Sequence, residues 1–209
     1  AALARVDEAP ITFDGAARYN VDNILGAIAV ARALGLPPDA IRRAITGFGA
    51  ADNPRRGELV ERDGVRILLD FGHNPDGVRA LMKLVDALRA RRPGRLTVIV
   101  GSAGDRTDRD IDEVVRVVCE HRPDRVIARE LPDYLRGRVE GEVPAVFREA
   151  FARHGLEAGA FAVAASEVAA LELALVDAGH DDLVVMLVHL DAEAVRDFLR
   201  DAGDVATLQ

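Results

Sequence analysis

The sequence predicts an α/β protein in which helices cover both faces of a mostly parallel sheet, a three-layer Rossmann-like architecture. From residue 59 onward, short apolar runs alternate with longer segments of helical periodicity, as in a series of β-α units. The runs at residues 96–100 and 183–188 are apolar throughout except for Thr97, which is typical of strands buried on both faces. Ligand sites in such sheets lie at the carboxyl ends of the strands.

Composition excludes several classes of function. Hydrophobic residues make up 49% of the 209 residues and charged residues 30%, the balance of a folded globular protein. The net charge is -8 and aromatic residues are only 4%, which argues against a nucleic-acid partner. No apolar run is long enough to cross a bilayer and no signal-peptide pattern opens the chain, so we expect no membrane partner and a cytoplasmic location.

The first fifty residues predict a short strand followed by two helices. Residues 10–13 form the apolar strand and end in the turn pair Asp14-Gly15. An apolar stripe at helical spacing predicts a helix over 20–34, and Pro38 begins a second helix that reaches residue 46. Because these elements bury little core alone, we predict that residues 1–52 are the tail of a further, incomplete domain, and that residues 53–209 form the α/β domain.

The α/β domain is predicted to begin after a boundary rich in Gly and Pro at residues 47–54. Residues 59–61 and 65–69 flank Arg62-Asp63-Gly64, the signature of a β-hairpin. The remaining strands are predicted at residues 96–100, 125–129, 161–164 and 183–188. The remaining helices are predicted at residues 76–91, 110–121, 144–154, 166–178 and 192–201.

The densest polar cluster follows the strand at 65–69 and contains Asp70, His73 and Asn74. Pro75 sets the start of the next helix, whose N-terminus favours anions. A carboxylate there can accept ribose hydroxyl protons, and an imidazole can donate to a phosphate oxygen. The alternative is that Asn74 is an ordinary helix cap and His73 a surface residue.

Two further clusters follow later strands. Gly101, Gly104, Asp105 and Arg106 belong to a Gly-rich loop, although the GxxxxGK[ST] phosphate loop is absent from the whole sequence. Arg136 and Arg138 flank a glycine after the strand at 125–129, and arginine pairs grip carboxylates or phosphates. The alternatives are a plain β-α turn and a solvated charged loop.

A metal site is not predicted. The five histidines are scattered without an i, i+4 pair, and the single cysteine, Cys119, excludes a Cys-rich zinc site.

Taken together, the motifs resemble the Mur ligase superfamily over nearly the whole chain. Residues 70–75 read Asp-Phe-Gly-His-Asn-Pro and resemble its D-[YG]-A-H-N-P signature. Residues 101–106 resemble its G-x-x-G-D-R loop, and residues 53–56 its N-P-G-R linker, with Arg55 at the glycine. Residues 19–27 resemble the helix that ends the central ATPase domain. The resemblance implies that residues 53–209 are the C-terminal domain of such a ligase and residues 1–52 the tail of its ATPase domain.

Within the superfamily, the chain most resembles the cyanophycin synthetase family, through residues 10–20, the 133–138 loop and the strand near 184–188. The resemblance implies an ATP-dependent ligase that adds Asp and Arg to a polymer through acyl-phosphate intermediates, with the arginine step assigned to the Mur-like half. ATP and Mg²⁺ are the implied cofactors of the parent enzyme. With no phosphate loop, this chain is expected to be inactive alone and to bind neither tightly.

The resemblance also implies site residues by matched position. Asn20 and Asn23 would lie near adenine. Asp70 would lie near ribose and His73 near phosphate, and these two are the candidate catalytic residues. Arg56 and Asn74 would also face the nucleotide. The loops that face the acceptor or the incoming amino acid would supply Gly101, Gly104, Asp105, Arg106, Arg136 and Arg138.

Other interpretations stay open at this point. The parent could be another Mur-type ligase, for muramyl peptides or folylpolyglutamate, or the domain could serve binding or assembly without catalysis. Expected partners are the missing domains of the same polypeptide, ATP, and an amino-acid or peptide-polymer substrate. The sequence leaves a homo-oligomer open, because its Ala and Val positions suit an interface as well as a core.

Overall fold

The computed structural model describes residues 2–201 and 205–207. Within these residues, seven strands form one sheet in the order β5-β4-β3-β6-β2-β1-β7. The strands are β1 (Arg56–Arg62), β2 (Val65–Asp70), β3 (Leu96–Val100), β4 (Arg125–Arg129), β5 (Phe161–Ala164), β6 (Leu183–Leu187) and β7 (Val205–Thr207). Strands β2 to β6 are parallel, and β1 joins β2 and β7 in antiparallel pairing.

The helices confirm the predicted three layers. They are α1 (Arg18–Ala33), α2 (Pro38–Gly47), α3 (Pro75–Arg91), α4 (Asp108–Glu120), α5 (Glu142–Arg153), α6 (Glu167–Val176) and α7 (Ala192–Asp201). Helices α3, α4 and α5 pack on one face of the sheet, and α6 and α7 pack on the other. Successive strand residues alternate between the two cores, since Leu68 faces the first and Ile67 the second.

The hairpin between β1 and β2 closes as predicted. Its two loop residues, Asp63 and Gly64, have φ angles of 52° and 80°. Two left-handed residues in a two-residue loop match the right-handed twist of the flanking strands, and Asp-Gly is a preferred pair there. The hairpin sets the pairing from Arg62 with Val65 to Glu58 with Leu69, and a register shift between Arg56 and Glu58 then brings Arg56 opposite Asp70.

The first segment differs from its prediction, because residues 10–13 do not form a strand. Residues Pro10–Thr12 form a 3-10 helix instead. The Thr12 hydroxyl donates to the carbonyl oxygens of Val6 at 2.7 Å and Ala9 at 2.8 Å. These local bonds tighten the chain into turns, and three apolar residues are too few to show which period they follow.

Helices α1 and α2 contribute little to the cores. Asn20 is the buried residue of α1 and Ile41 that of α2. Large apolar side chains on and beside them are exposed, namely Leu25, Val30, Leu34, Leu36 and Phe48. Exposed apolar side chains of this number are what a surface covered by another domain would show. The assignment of residues 1–52 to a second domain remains a prediction.

The last strand, β7, is not predicted from the sequence. The sequence predicts no strand after α7, yet the backbone of β7 pairs with β1. Three residues are too few for an apolar period to reveal such a strand.

None of the helices in the described part of the chain is long and apolar enough to cross a membrane.

Candidate functional site

The structure brings the predicted polar clusters to one edge of the sheet, where β2, β3 and β4 end. His73 lies between two cavities at this edge. Cavity A, of about 290 Å³, includes Asn20, Asn23, Arg56, Asp70 and His73 in its lining. Cavity B, of about 240 Å³, is lined by His73 with Gly101, Asp105, Arg106 and Arg136, among others. The clusters therefore lie where the sequence analysis expected them, at the carboxyl ends of the parallel strands.

The carboxylate of Asp70 anchors one wall of cavity A. One oxygen accepts the N–H of Gly57 at 2.9 Å, and the other accepts the N–H of Gly72 at 2.8 Å. Burial raises the pKa of Asp70 above its ordinary value, against the effect of these two hydrogen bonds. Each oxygen keeps a lone pair, so the carboxylate can hold the backbone and still accept a proton from a ligand hydroxyl.

Phe71 is the centre of a cluster of cationic and aromatic side chains between the cavities. The guanidinium groups of Arg56 and Arg55 lie 5.1 Å and 5.6 Å from its ring centre. The ring centre of His73 lies 5.2 Å from that of Phe71, and His73 itself is exposed. Arg55 has φ 61°, so it adopts the left-handed conformation that favours the glycine of the similar linker motif. The linker thus keeps this conformation without the glycine.

Asn20 and Asn23 stand where cavity A meets a more apolar space, cavity C, of about 310 Å³. Asn20 is buried, and its side-chain amide donates a hydrogen bond to the carbonyl oxygen of Ile11 at 2.7 Å. Cavity C is lined by these two amides, by Asn53 and by apolar side chains that include Ile24 and Phe48. An apolar slot with amides at its mouth suits a flat heteroaromatic ring.

Asn74 caps helix α3. Its side-chain oxygen accepts the N–H of Gly77 at 2.8 Å, so the ordinary-cap interpretation describes its main contact. Asn74 also lines cavity A. Because the side-chain oxygen is used by the cap, the predicted contact with the nucleotide would have to come from the side-chain amide nitrogen of Asn74.

Gly104 and Arg138 are not part of the cavity B lining. The N–H of Gly104 donates to the carbonyl oxygen of Tyr134 at 2.8 Å. Arg138 donates to the carbonyl oxygens of Gly104 at 3.0 Å and Arg106 at 2.8 Å, and it pairs with Asp108 at 2.6 Å. These two residues join the 101–107 loop to the 132–138 loop.

Arg136 and Asp105 do line cavity B, and they form an ion pair with each other. The hydrogen bond from Arg136 lowers the pKa of Asp105 below its ordinary value. The guanidinium of Arg136 also lies 4.9 Å from the ring centre of Tyr134. Arg106 adds a second positive charge, so the cavity is suited to an anionic group.

Comparison with known proteins assigns this chain to a family. The family model for the Mur ligase, glutamate ligase domain, matches residues 55–187. This chain belongs to that family. A cyanophycin synthetase from Synechocystis sp. is 32% identical over 91% of this chain, and a UDP-N-acetylmuramoyl-L-alanyl-D-glutamate--2,6-diaminopimelate ligase from Gloeobacter violaceus is 33% identical over 55%. The chain spans 22% and 23% of their lengths.

Solved structures confirm the fold of this Mur ligase domain. A pseudomurein peptide ligase type C from Methanothermus fervidus aligns with a TM-score of 0.64 at 18% identity, over 88% of this chain and 36% of its own. E. coli FolC in complex with ADP aligns with a TM-score of 0.63 at 22% identity, over 86% and 39%. The family model and the cyanophycin synthetase relative confirm the family resemblance inferred from the motifs.

The glycine at position 104 gives the Mur ligase domain a tight contact between two loops. A Cβ atom there would lie 1.9 Å from the carbonyl oxygen of Leu135, so the backbone of one loop would have to move. We expect Gly104→Ala to lower the free energy of unfolding by about 1–3 kcal/mol. Urea denaturation measures this, with Gly159→Ala as the control because a Cβ at Gly159 meets no atom within 4 Å. Equal stabilities of the two variants would contradict the expected contact.

The sequence reasoning missed three residues of this Mur ligase domain: the buried Arg129 and Glu167, and the half-buried His189. Arg129 is fully buried at the end of β4 and forms an ion pair with Glu167 at 2.7 Å. His189 lies just beyond β6 and lines cavity B. The position of His189 in the sequence could have indicated it, because His189 follows the carboxyl end of a parallel strand, as the predicted polar clusters do.

His189 makes the stability of the domain depend on pH. Burial, and then the charge of Arg129, lower its pKa from 6.5 to about 4. Between these values the unfolded chain binds more protons than the folded one, so the free energy of unfolding falls as the pH drops. By pH 5 we expect a loss of about 2 kcal/mol relative to pH 7.5.

The measurement compares urea unfolding of the wild type and His189→Gln at both pH values. Other titrating groups act in both proteins, so their difference isolates His189. The stability advantage of the wild type should shrink at pH 5. Parallel pH curves for the two proteins would contradict the assignment.

A metal site is not evident in this part of the Mur ligase. Across residues 2–201, no group of three His, Cys, Asp or Glu side chains is placed to hold a metal ion.

Proposed function

We propose that this chain forms one wall of the active site of an ATP-dependent amide ligase of the cyanophycin synthetase type. Such an enzyme adds Asp and Arg to a poly-aspartate/arginine polymer through acyl phosphates. The observation that carries the proposal is the convergence in cavity A. Asn20, Asn23, Arg56, Asp70 and His73 come from three segments separated in sequence, and all five line this one cavity.

The comparisons support a nucleotide as the ligand of the parent enzyme. The cyanophycin synthetase relative matches 91% of the chain. E. coli FolC was solved with ADP, and a folylpolyglutamate synthase/dihydrofolate synthase from Yersinia pestis was solved with AMPPNP and a Mn ion. In this chain, the apolar slot of cavity C is suited to adenine, with Asn20 and Asn23 beside it. The Asp70 carboxylate then accepts hydrogen bonds from the ribose hydroxyl groups, and Arg56 faces the phosphates.

The proposed reaction has two steps. The substrate carboxylate attacks the γ-phosphorus of ATP and releases ADP, which leaves an acyl phosphate. An amine then attacks the acyl carbon, inorganic phosphate leaves with the C–O bond electrons, and the amine nitrogen loses a proton. His73 faces both cavities, so its ring can donate a hydrogen bond to the phosphoryl oxygens as charge develops there.

Mg²⁺ would neutralise phosphate charge in the parent enzyme. In the described part of this chain, no three-residue cluster could bind it, so other parts of the parent enzyme would have to supply the ligands. The sequence also lacks the GxxxxGK[ST] loop. We therefore expect the 209-residue chain alone to hydrolyse no ATP and to form no amide.

The test compares the full-length protein with the 209-residue chain. With ATP and a polymer primer, the full-length protein should form ADP and an amide product, and hydroxylamine should trap the acyl phosphate as a hydroxamate. The isolated chain should do neither. ADP formation by the isolated chain, free of full-length enzyme, would contradict the proposed division of labour, and full-length protein without ligation would contradict the function.

A second candidate is a Mur-type ligase that adds an acidic amino acid. Cavity B favours it, because Arg106 and Arg136 face the cavity while its one carboxylate, Asp105, is paired with Arg136. Such a cavity suits a carboxylate better than a guanidinium. Competition among arginine, aspartate, glutamate and diaminopimelate in the ligation assay separates the two candidates.

A further inference from the structure

We propose that Arg129, Glu167 and His189 form a positioning network beneath the active-site edge, and that this network sets the loop that carries His73. Its effect on rate rests on the proposed function, whereas its geometry can be tested independently. The three residues belong to β4, to the start of α6 and to the turn after β6.

Arg129 is the hub of the network. Its Nη2 atom lies 2.7 Å from the carbonyl oxygen of Leu187, 2.7 Å from Oε1 of Glu167 and 2.9 Å from Nδ1 of His189. Glu167 is 2% exposed, and its two oxygens accept the N–H groups of His189, Leu190 and Asp191. The ion pair therefore ties the ends of two strands to the first turn of a helix.

The hydrogen bonds of His189 fix its tautomer. Arg129 can only donate, so Nδ1 of His189 must accept and the ring proton must sit on Nε2. Nε2 lies 3.2 Å from the carbonyl oxygen of Gly72, which can accept that proton in a hydrogen bond. The His189 ring also meets the Phe71 ring edge-on at 5.5 Å. The two residues that precede His73 are thus held by one imidazole.

The second loop of cavity B rests on the same arginine. A Cβ atom on Gly101 would lie 2.7 Å from Nη1 of Arg129, so the Gly101 backbone packs directly against the guanidinium. Gly101 begins the loop that carries Asp105 and Arg106. Arg129 therefore supports both loops that meet at cavity B, one directly and one through His189.

Stability alone does not explain Arg129. Its Nε and Nη1 atoms are buried without a hydrogen-bond partner in the protein, and buried unpaired donors are costly. Arg66, a buried arginine at the opposite edge of the sheet, leaves one atom, Nε, without a hydrogen-bond partner in the protein. It donates to the carbonyl oxygens of Leu88 and Arg92 at the end of α3, and to that of Asp181, so it caps a helix.

The three acceptors around one nitrogen suggest a conservative replacement. A lysine ammonium has three donors, one for each of these acceptors, and it lacks the two unpartnered groups of arginine. Arg129→Lys should therefore keep the network. The double variant Arg129→Met/Glu167→Gln removes both charges, while the glutamine oxygen can still accept from the backbone.

The kinetic test measures kcat and KM for ATP and for the amino acid in the full-length protein. Arg129→Lys should stay within about threefold of the wild type, whereas the double variant should lose about 10- to 100-fold in kcat/KM because His73 is misplaced. The thermal midpoint of the double variant should stay close to that of the wild type. Arg66→Met, the matched control, should lower the midpoint and leave kcat unchanged for the folded enzyme.

The geometric test uses long-range ¹H–¹⁵N spectra of the histidine rings in the 209-residue chain at neutral pH. His189 should show the Nε2–H tautomer in the wild type and in Arg129→Lys, and mixed tautomers in the double variant. A proton on Nδ1 in the wild type, or a double variant with normal kcat/KM, would overturn the network. If the wild-type protein forms no amide, the proposed function fails, and the spectra still decide the network.

Discussion

Replacing His73 with alanine is expected to lower the ligation rate of the full-length enzyme by about 10²–10³-fold, with little change in thermal midpoint. The side chain is exposed at the edge where cavities A and B meet, and its described contact is with the Phe71 ring. Little packing is therefore lost on truncation. A donor to the transferred phosphoryl group acts mainly in the transition state, so its loss lowers kcat more than it raises KM.

His180→Ala is the matched control for His73. The His180 side chain is 74% exposed and lies before β6, at the other edge of the sheet. Its removal should leave turnover unchanged. Turnover and thermal midpoint are measured together on each variant. Normal turnover in a folded His73→Ala enzyme would remove His73 from the site, and lost stability with normal turnover would make it a structural histidine.

Much of the sheet could be predicted because its strands are marked locally. The run at β6 is continuously apolar and that at β3 is apolar except for the half-buried Thr97, and the structure buries the other residues of both strands. The parallel order then placed Asp70, His73 and Gly101 at one edge without any knowledge of contacts. Local pattern and topology were sufficient for these residues.

The individual roles at that edge depended on contacts distant in sequence. Arg138 and Arg136 are two residues apart and looked equivalent, yet Arg138 is held by Gly104 and Arg106, while Arg136 lines cavity B. Neither the spacing nor the residue type shows which arginine meets a neighbouring loop. The same holds for Arg129, whose partners lie about 40 to 60 positions further along the chain.

The first helix shows the opposite kind of limit. Its apolar stripe correctly predicts a helix, but Leu34 is 75% exposed and Leu25 is 59% exposed. An apolar period indicates that a face is to be covered, without saying by what. The stripe is consistent with the expected second domain, which stays a prediction.

Replacing Glu167 with alanine is expected to lower the free energy of unfolding by about 3–5 kcal/mol, the largest stability effect we expect. Glu167 is 2% exposed and pairs with Arg129, which is fully buried. Burial lowers the pKa of Arg129 to about 10, so it is still charged at neutral pH and would be left without its partner. Three backbone N–H groups, of residues 189–191, would lose their acceptor as well.

Two variants separate the causes of this loss. Glu167→Gln keeps an oxygen for the backbone N–H groups and removes the charge, so its loss should lie between those of the wild type and Glu167→Ala. Glu172→Ala removes an exposed carboxylate from the same helix and should stay within about 0.5 kcal/mol of the wild type. Urea denaturation at pH 7.5 measures all three. If Glu167→Ala were no less stable than Glu172→Ala, the buried pair would not hold the turn after β6, and the support we assign to His189 would have to come from elsewhere.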